Sequence, residues 1–308
     1  MRKKLSMEYL RGAVRTEETE NGLELQRLSS AIMKRFARDE HIEIRMRCPS
    51  GVRIVFRTDS PFVRLPFRYG RAARPFYEFD VFRDGCKTEF SRANGVLEIA
   101  PDGALHTIEI LPPHLAECFF GELELADGSV FEPVKKPAKR LLFLGDSIMQ
   151  GMTVSRPSFA YADRMARHLN ADYSNISIAG MTAFAVQGEF AMEYEWDRMF
   201  LCFGVNDFNT ERPLKTYLGE MRGILNAVKG KPVVLISPIH MTGRPNEKNG
   251  VAFQSFRDGL ESLAAEFPNV KFVDGTVLLP FDDRYFADGL HPNDCGEDLL
   301  FNNLKELI

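Results

Sequence analysis

The serine in the stretch LLFLGDSIMQG, residues 141–151, stands where it could act as a nucleophile. Four apolar residues lead into Gly-Asp-Ser, and a glycine follows four residues after Ser147. A serine held at the carboxyl end of a buried strand can attack a carbonyl carbon if a base takes its proton. Gly, Asp and Ser are also common in ordinary strand-to-helix turns, because they tolerate turn geometry and cap helices. The triplet alone favours the ordinary turn, so other residues must decide.

His291 is the predicted base among the six histidines of the chain. It lies in FADGLHPND, after the last predicted strand, which places it at the same edge of a parallel sheet as Ser147. Asp288 precedes it by three residues, so its carboxylate can accept a hydrogen bond from the far imidazole nitrogen. We expect Pro292 to help start the terminal helix and to hold this turn still. An aspartate at this spacing is common by chance, so the spacing alone is weak evidence.

The other five histidines fall elsewhere in the pattern. His41 and His106 lie in predicted strands, His114 follows a Pro-Pro turn, His168 lies on a predicted helix, and His240 lies in the loop PIHMTGRPNEKNG. This loop is long and polar, and we treat it as a hypothetical cover for the site.

Two further strand ends offer donors for a developing oxyanion. CFGVND places Asn206 just beyond the third strand of the second half, where its side-chain amide could point into the site. ISIAGMT places Gly180 beyond the second strand, where no Cβ hinders the approach of its backbone N–H. The backbone N–H of Ser147 would be the third donor. Ordinary turn chemistry explains either residue taken alone.

Together, GDS, AG, GVND and DGLH end successive strands in an order that closely resembles the SGNH (GDSL-type) hydrolase family. The resemblance covers residues 139–308. It implies that Ser147 is the nucleophile, His291 the base and Asp288 the acid that orients it. It also implies that Ser147, Gly180 and Asn206 form the oxyanion hole. The reaction so implied requires neither a metal ion nor an organic cofactor.

Five further positions close to these motifs call for a separate interpretation. Met149 stands where many members of the family have a small polar residue, which affects the turn after the serine. Asp146 adjoins the nucleophile and Asp207 follows the oxyanion asparagine, and we interpret both as structural. Phe208 and Asn209 either line an acyl or alcohol pocket or merely fill a loop.

The chain changes character near EPVKKPAKR, residues 132–140, a charged segment with two prolines that is typical of a linker. Before it, short β-type runs such as HIEIRMRC, GVRIVFRTDS and HTIEILPP are separated by turn signals. After it, apolar runs such as LLFLG, YSNISIAG and RMFLCFG alternate with amphipathic stretches such as LKTYLGEMRGILNAVK. We predict an all-β sandwich or jelly-roll domain over residues 1–137. Over residues 138–308 we predict an α/β domain with a flavodoxin-like parallel sheet and helices on both faces.

The leading domain also resembles, less specifically, the β-sandwich or jelly-roll domain that precedes the hydrolase domain in some carbohydrate esterases. Nine arginines lie between Arg45 and Arg83. We interpret them as the solvated faces of strands, with an anionic or sugar-rich substrate surface as the alternative. Residues 1–137 carry 22 basic and 21 acidic side chains, a balance that argues against a nucleic-acid partner.

Composition bounds the remaining possibilities. The five cysteines are scattered without a C-x-x-C pair, which predicts reduced thiols in a cytoplasmic protein and neither a zinc site nor a disulfide framework. No run approaches the roughly 18 apolar residues that a membrane span needs, and the first 22 residues lack the apolar region of a secretory signal. Nothing in the sequence indicates the oligomeric state.

We therefore expect a serine esterase that hydrolyses short-chain acyl esters, acetyl first, on a carbohydrate or small metabolite. An acyltransferase with the same triad is one alternative. A non-catalytic carbohydrate-binding protein is another, against which the intact set of Ser147, Asp288 and His291 speaks. A flavodoxin-like redox protein is disfavoured because no glycine loop suited to a phosphate is evident.

Overall fold

The computed structural model describes all 308 residues and divides into two compact units. Unit 1 comprises Met1–Pro137 and Arg156–Ser158, and unit 2 comprises Ala138–Ser155 and Phe159–Ile308. The boundary between Pro137 and Ala138 therefore falls inside the charged, proline-containing segment 132–140.

Unit 1 consists of short strands and two short helices. The strands are β1 (Arg2–Lys3), β2 (Leu10–Arg11), β3 (Arg15–Thr19), β4 (Gly22–Gln26), β5 (Arg53–Thr58), β6 (Val63–Ala72), β7 (Asp80–Arg83), β8 (Cys86–Lys87), β9 (Ser91–Ala93), β10 (Val96–Ile99), β11 (His106–Leu111), β12 (Ala116–Phe120), β13 (Leu123–Leu125) and β14 (Glu132–Pro133). The helices are α1 (Ser30–Phe36) and α2 (Glu40–Arg47).

These strands form two antiparallel sheets. An eight-stranded sheet has the order β1-β13-β6-β12-β4-β3, with β10 beside β6 and β9 beside β10. A six-stranded sheet has the order β14-β5-β11-β7-β8, with β2 beside β5. Both sheets contribute side chains to one buried apolar core, for example Leu65 and Leu97 from the first and Ile54 and Ile108 from the second. The predicted all-β sandwich is therefore confirmed.

The strand predicted for HIEIRMRC is wrong, because these residues belong to α2. The Asp39 side chain caps this helix by accepting a hydrogen bond from the Ile42 backbone N–H at 2.9 Å. Glu43 and Arg47 then pair across one helical turn at 2.9 Å. Only Met46 of the helix is buried, so the alternating apolar pattern does not correspond to alternating burial. His41 accordingly lies on a helix.

The arginine-rich stretch is not simply a set of solvated strand faces. Arg71 pairs with Glu117 at 2.6 Å, and Arg47 pairs with Glu24 at 3.0 Å, although both carboxylates are almost fully buried. Arg53 is itself buried. Arg47 and Arg71 therefore link elements of unit 1, α2 to β4 and β6 to β12, by ion pairs with buried carboxylates.

Unit 2 alternates strands with helices. The strands are β15 (Arg140–Gly145), β16 (Asp172–Asn175), β17 (Arg198–Cys202), β18 (Val233–Ile236), β19 (Glu247–Lys248), β20 (Val251–Ala252) and β21 (Val270–Val273). The helices are α3 (Ser147–Gln150), α4 (Tyr161–His168), α5 (Val186–Ala191), α6 (Val205–Asn209), α7 (Leu214–Ala227), α8 (Phe253–Ala264) and α9 (Asp294–Lys305).

Five of these strands form a parallel sheet with the order β16-β15-β17-β18-β21, and β19 and β20 form a separate hairpin. Helix α4 packs against α9, whereas α7 packs against α5 and α8. The predicted α/β class with a parallel sheet is confirmed. The run YSNISIAG ends its strand early, at Asn175, whose side-chain oxygen accepts a hydrogen bond from the Ser177 backbone N–H.

All five cysteines are free thiols, and Cys202 is buried in β17. No helix combines the length and apolarity needed to cross a membrane.

Candidate active site

Ser147 is the first residue of α3, directly after Asp146, which links the helix to β15. The Asp146 side chain caps α3 by accepting a hydrogen bond from the Ile148 backbone N–H at 3.0 Å. Gly145 is required at the strand end, because a Cβ there would lie 2.6 Å from the carbonyl oxygen of Cys202 on β17. The serine is buried and lies at the carboxyl end of its strand, where α/β sheets bind ligands.

The structure brings His291 and Asp288 to this serine. His291 Nε2 lies 2.9 Å from Ser147 Oγ, and His291 Nδ1 lies 3.0 and 2.9 Å from the two carboxylate oxygens of Asp288. With the Nδ1 proton donated to Asp288, Nε2 is left as the acceptor for the serine hydroxyl proton. The three side chains thus have the geometry of a nucleophile, a base and an orienting acid.

Asp288 is held as a carboxylate by the turn it belongs to. Burial alone would raise the pKa of Asp288, but hydrogen bonds from the backbone N–H and the ring of His291 outweigh it and lower the pKa. Its Oδ1 accepts the His291 backbone N–H at 2.9 Å and the Leu290 backbone N–H at 3.3 Å. The charged form that would stabilise an imidazolium is therefore favoured.

The segment between His291 and α9 is not fixed by Pro292 at the first position of the helix, as predicted, but by other contacts. Helix α9 begins at Asp294, and the Asn293 side chain caps it by accepting from the Gly296 backbone N–H at 3.0 Å. Pro292 instead pairs with Phe286 in an isolated antiparallel bridge. The role predicted for Pro292 in starting the helix is wrong, because asparagine offers the side-chain acceptor that the helix N-terminus needs.

Gly180 and Asn206 lie next to each other in the structure. Gly180 has a φ of 83°, and Asn206 Nδ2 donates a hydrogen bond to the carbonyl oxygen of the adjacent Met181 at 2.9 Å. The backbone N–H groups of Ser147 and Gly180 donate to no acceptor within the chain. These N–H groups, together with the second N–H of the Asn206 amide, are donors available to a ligand.

A partly buried ion-pair network, which no sequence motif indicates, holds the loop after Gly180. Both carboxylate oxygens of Asp207 accept the Ala183 backbone N–H, at 3.3 and 3.2 Å, and Arg212 donates to Asp207 at 2.9 Å. Arg212 also donates to Glu220 at 3.0 Å, and Glu220 accepts the Ala185 backbone N–H at 2.6 Å. Because Asp207 adjoins Asn206, the network ties two proposed donor segments together.

Two carboxyl groups near the serine are buried and are structural, as predicted. Burial, together with the charge of the neighbouring Asp207, raises the pKa of Asp146 to about 7, although the hydrogen bond from the Ile148 backbone N–H acts in the opposite direction. Burial also raises the pKa of Asp207 to about 6, even though Arg212 acts in the opposite direction. Asp146 therefore serves as a helix cap in a largely apolar setting.

The loop that carries His240 lies against the Asp288–His291 turn. The backbone N–H groups of Thr242 and Gly243 both donate to the Gly289 carbonyl oxygen at 2.9 Å. Farther along, Lys248 Nζ donates to the carbonyl oxygen of Asn209 at 2.8 Å, at the end of α6. The loop therefore contacts both the turn that carries His291 and the end of α6, the helix that carries Asn206.

Phe208 belongs to an aromatic cluster and borders a small cavity of about 60 Å³, which Arg212 and Lys248 also line. It is buried, with its ring 4.6 Å from that of Phe253 and 5.6 Å from that of Phe256, measured between centroids. The Asn209 amide donates to Met241 Sδ at 3.4 Å. No group of His, Cys, Asp and Glu side chains is arranged to hold a metal ion.

A family model described as the GDSL-like lipase/acylhydrolase family matches residues 143–299, half of the chain. The match contains Ser147, Gly180, Asn206, Asp288 and His291. No curated protein sequence matches the chain.

Several solved structures share the fold of both units. The salicylyl-acyltransferase SsfX3 from a tetracycline biosynthetic pathway is 20% identical, with a TM-score of 0.85 over 97% of this chain and 93% of that one. A family two carbohydrate esterase from Clostridium thermocellum, solved in complex with cellohexaose, is 13% identical, with a TM-score of 0.69 over 96% and 97%. An acetyl xylan esterase, Est2A, from the rumen bacterium Butyrivibrio proteoclasticus is 13% identical, with a TM-score of 0.60 over 98% and 95%.

Proposed function

Because this chain belongs to the GDSL-like lipase/acylhydrolase family and is a carboxylic ester hydrolase, we propose that it cleaves short-chain acyl esters with Ser147, His291 and Asp288. The observation that carries this proposal is the unbroken line of contacts from Ser147 Oγ through the His291 ring to Asp288. The Asp288 carboxylate also accepts a hydrogen bond from the His291 backbone N–H, so it belongs to the turn of the histidine that it would orient.

The reaction proceeds in two acyl-transfer steps. His291 Nε2 takes the hydroxyl proton while Ser147 Oγ bonds to the ester carbonyl carbon, and the carbonyl oxygen becomes an oxyanion. The N–H groups of Ser147, Gly180 and Asn206 donate to that oxygen. Collapse breaks the bond to the alcohol, which leaves with the proton from His291. Water then attacks the acyl-serine in the same way and releases the acid.

The substrate we propose is an acetyl or similarly short acyl ester of a carbohydrate or small metabolite. Two observations support it. The helices of unit 2 include no long apolar one that could cover a fatty acyl chain: the longest is α7, with 14 residues, and it packs against α5 and α8. Two structures of similar fold over both units are, by their descriptions, a carbohydrate esterase and an acetyl xylan esterase.

Acyl transfer to an alcohol other than water is the second candidate. It is favoured by the similarity of fold to a salicylyl-acyltransferase over 97% of this chain. The same triad serves both outcomes, because only the nucleophile of the second step differs.

The test is hydrolysis of p-nitrophenyl esters from acetate to octanoate by the wild-type chain, Ser147→Ala and Ser262→Ala. Ser262 is an exposed serine on α8 and serves as the matched control. We expect activity to be highest on acetate, to vanish in Ser147→Ala and to persist in Ser262→Ala. Residual turnover in Ser147→Ala would contradict the proposed nucleophile. If added acceptor alcohols divert the acyl product from the free acid to a new ester, the transferase is the correct assignment.

A further inference from the structure

Two open cavities of unit 1 adjoin at Arg92. One has a volume of about 400 Å³ and is lined by Phe67, Tyr69, Tyr77 and Asn94 beside Arg92. The other has a volume of about 740 Å³ and is lined by Glu78, Lys87, Thr88, Phe90 and Arg156 beside the same Arg92. Both volumes lie in the range of roughly 300–1,000 Å³ that is typical of ligand sites. We call the two cavities together the Arg92 groove.

Aromatic rings form a corner at one end of the Arg92 groove. The ring centroids of Tyr69 and Tyr77 are 5.0 Å apart with the planes at 51°, and Phe67 lies 5.0 Å from Tyr69. Tyr77 is 37% exposed and is the one aromatic side chain among the exposed large hydrophobic residues of unit 1. A large ring left in water beside an open cavity indicates a surface that a ligand covers.

Arg92 holds this corner in place before any ligand arrives. Its Nη1 donates to the Tyr69 hydroxyl at 3.0 Å and to the carbonyl oxygen of Tyr77. Its Nη2 donates to Glu78 Oε1 at 2.9 Å, and the Tyr69 hydroxyl in turn donates to the Tyr77 carbonyl oxygen at 2.8 Å. A rigid aromatic corner loses little conformational freedom on binding, which favours affinity.

The cationic side chains along the groove are already paired with carboxylates, and Glu89 adds a further acidic group to the lining. Lys87 lies 2.6 Å from the buried carboxylate of Asp80, and Arg156 lies 3.3 Å from Asp80 and 3.5 Å from Glu78. Arg92 pairs with Glu78 at 2.9 Å. An anionic ligand would have to compete with these carboxylates, so the groove favours a ligand that is polar and uncharged.

We propose that the Arg92 groove binds a neutral oligosaccharide. The C–H faces of the sugar rings pack on Tyr77 and Tyr69, as apolar groups pack on aromatic faces. The Asn94 amide, the Thr88 hydroxyl and the Glu78 carboxylate supply donors and acceptors for sugar hydroxyls. The groove lies within unit 1, which contains none of the residues proposed for catalysis, and binding there requires no turnover.

The experiment uses the full chain carrying Ser147→Ala, so that no ester chemistry intervenes, and isothermal titration with defined oligosaccharides. The probes are cellohexaose, xylohexaose and mannohexaose, with an oligogalacturonate of equal length as the anionic comparison. We expect at least one neutral hexaose to bind, and to bind more tightly than the oligogalacturonate. Absence of binding by all three neutral hexaoses, or preference for the oligogalacturonate, would overturn the proposal.

Variants then locate the binding. Tyr77→Ala should weaken Kd for the bound hexaose tenfold or more, whereas Leu105→Ala, which removes another exposed apolar side chain of unit 1, should change it less than twofold. Tyr77→Phe keeps the ring and should retain binding within threefold. Undiminished binding in Tyr77→Ala would overturn the proposal, as would loss of binding in Tyr77→Phe. In a chain that retains Ser147, Tyr77→Ala should leave p-nitrophenyl acetate hydrolysis within twofold, so failure of the esterase proposal and failure of this one are distinguishable.

Discussion

The backbones of Gly243 and Gly289 are in direct contact. A Cβ on Gly289 would stand 2.5 Å from the Gly243 Cα and 2.6 Å from the Gly243 nitrogen. Gly289 lies between Asp288 and His291, so the loop that carries Gly243 presses on the turn that orients the proposed base. Room for this contact exists only because neither residue has a side chain.

The first prediction is that Gly289→Ala lowers kcat/KM at least tenfold, because the added methyl group displaces the turn that carries Asp288 and His291. Gly250→Ala is the matched control: Gly250 has a φ of +75°, close to the +71° of Gly289, yet a Cβ there meets nothing within 4 Å. Both variants strain the backbone by about 1 kcal/mol, but only one clashes. Equal activity losses in the two variants would show that the contact does not matter.

The second prediction concerns Asn206. Replacement by alanine should lower kcat by roughly 10²–10³-fold, the cost typical of losing one oxyanion donor. KM and the unfolding midpoint should change little, because the donor acts mainly on the charge that develops during attack. Asn226→Ala, at an exposed position of α7, should leave kcat unaltered. A loss smaller than threefold in Asn206→Ala would remove Asn206 from the oxyanion hole.

The third prediction is that Arg212 acts through the oxyanion segments. Arg212→Lys keeps the charge but cannot bridge Asp207 and Glu220 with a planar fork, so kcat should fall roughly tenfold. Arg222→Lys, on α7 in an exposed ion pair with Glu266, should have no effect.

A double-mutant cycle separates positioning from general stability. If Arg212 positions the Gly180 and Asn206 donors, the losses from Arg212→Lys and Asn206→Ala should be non-additive by about 0.5–3 kcal/mol. Strict additivity of the two losses would mean that Arg212 affects activity only through the stability of the fold.

The fourth prediction is a pH dependence of stability that originates at Glu297 on α9. This side chain is 1% exposed, it accepts the Tyr161 backbone N–H at 2.8 Å, and burial raises its pKa to about 8. The folded chain therefore retains a proton that the unfolded chain releases above its ordinary pKa of 4.5. The stabilisation is complete below that value and is lost as the pH rises towards 8, by up to about 1.4 kcal/mol per pH unit.

Glu297→Gln removes the titration and keeps an oxygen for Tyr161. We expect urea unfolding to lose less stability between pH 5 and pH 9 in this variant than in the wild type. Glu306→Gln, at an exposed position following α9, should reproduce the wild-type dependence. Parallel pH curves for Glu297→Gln and the wild type would rule out Glu297 as the source.

The sequence predicts an element correctly where the periodicity of its apolar residues matches their burial in the fold. Helix α7 has a long amphipathic stretch with buried Tyr217, Met221 and Leu225 on one face, so its periodicity matches its burial. Helix α2 has only eight residues, and its cap at Asp39 and its pair between Glu43 and Arg47 decide its conformation against a strand-like pattern. Short segments are decided by such local contacts, which alternation of apolar residues does not reveal.

The candidate site likewise contains residues that the sequence locates and supporting contacts that it does not reveal. Residues at strand ends can be located because parallel strands bring their carboxyl ends to one edge of a sheet, which places Ser147 and His291 together. The supporting contacts of Arg212 and of the Gly243–Gly289 pair link segments far apart in sequence, and no spacing rule connects them. They become visible only when the loops are folded against each other.

Ser147 and His291 lie 144 positions apart in the sequence, so the proposed activity can begin only late in synthesis. During translation the proposed nucleophile leaves the ribosome long before the proposed base exists, and helix α9, which follows His291, must still pack against α4. A nascent chain therefore carries an inert serine for most of the synthesis of unit 2. A stop codon between Ser147 and His291 would leave a chain that contains the proposed nucleophile and lacks the proposed base.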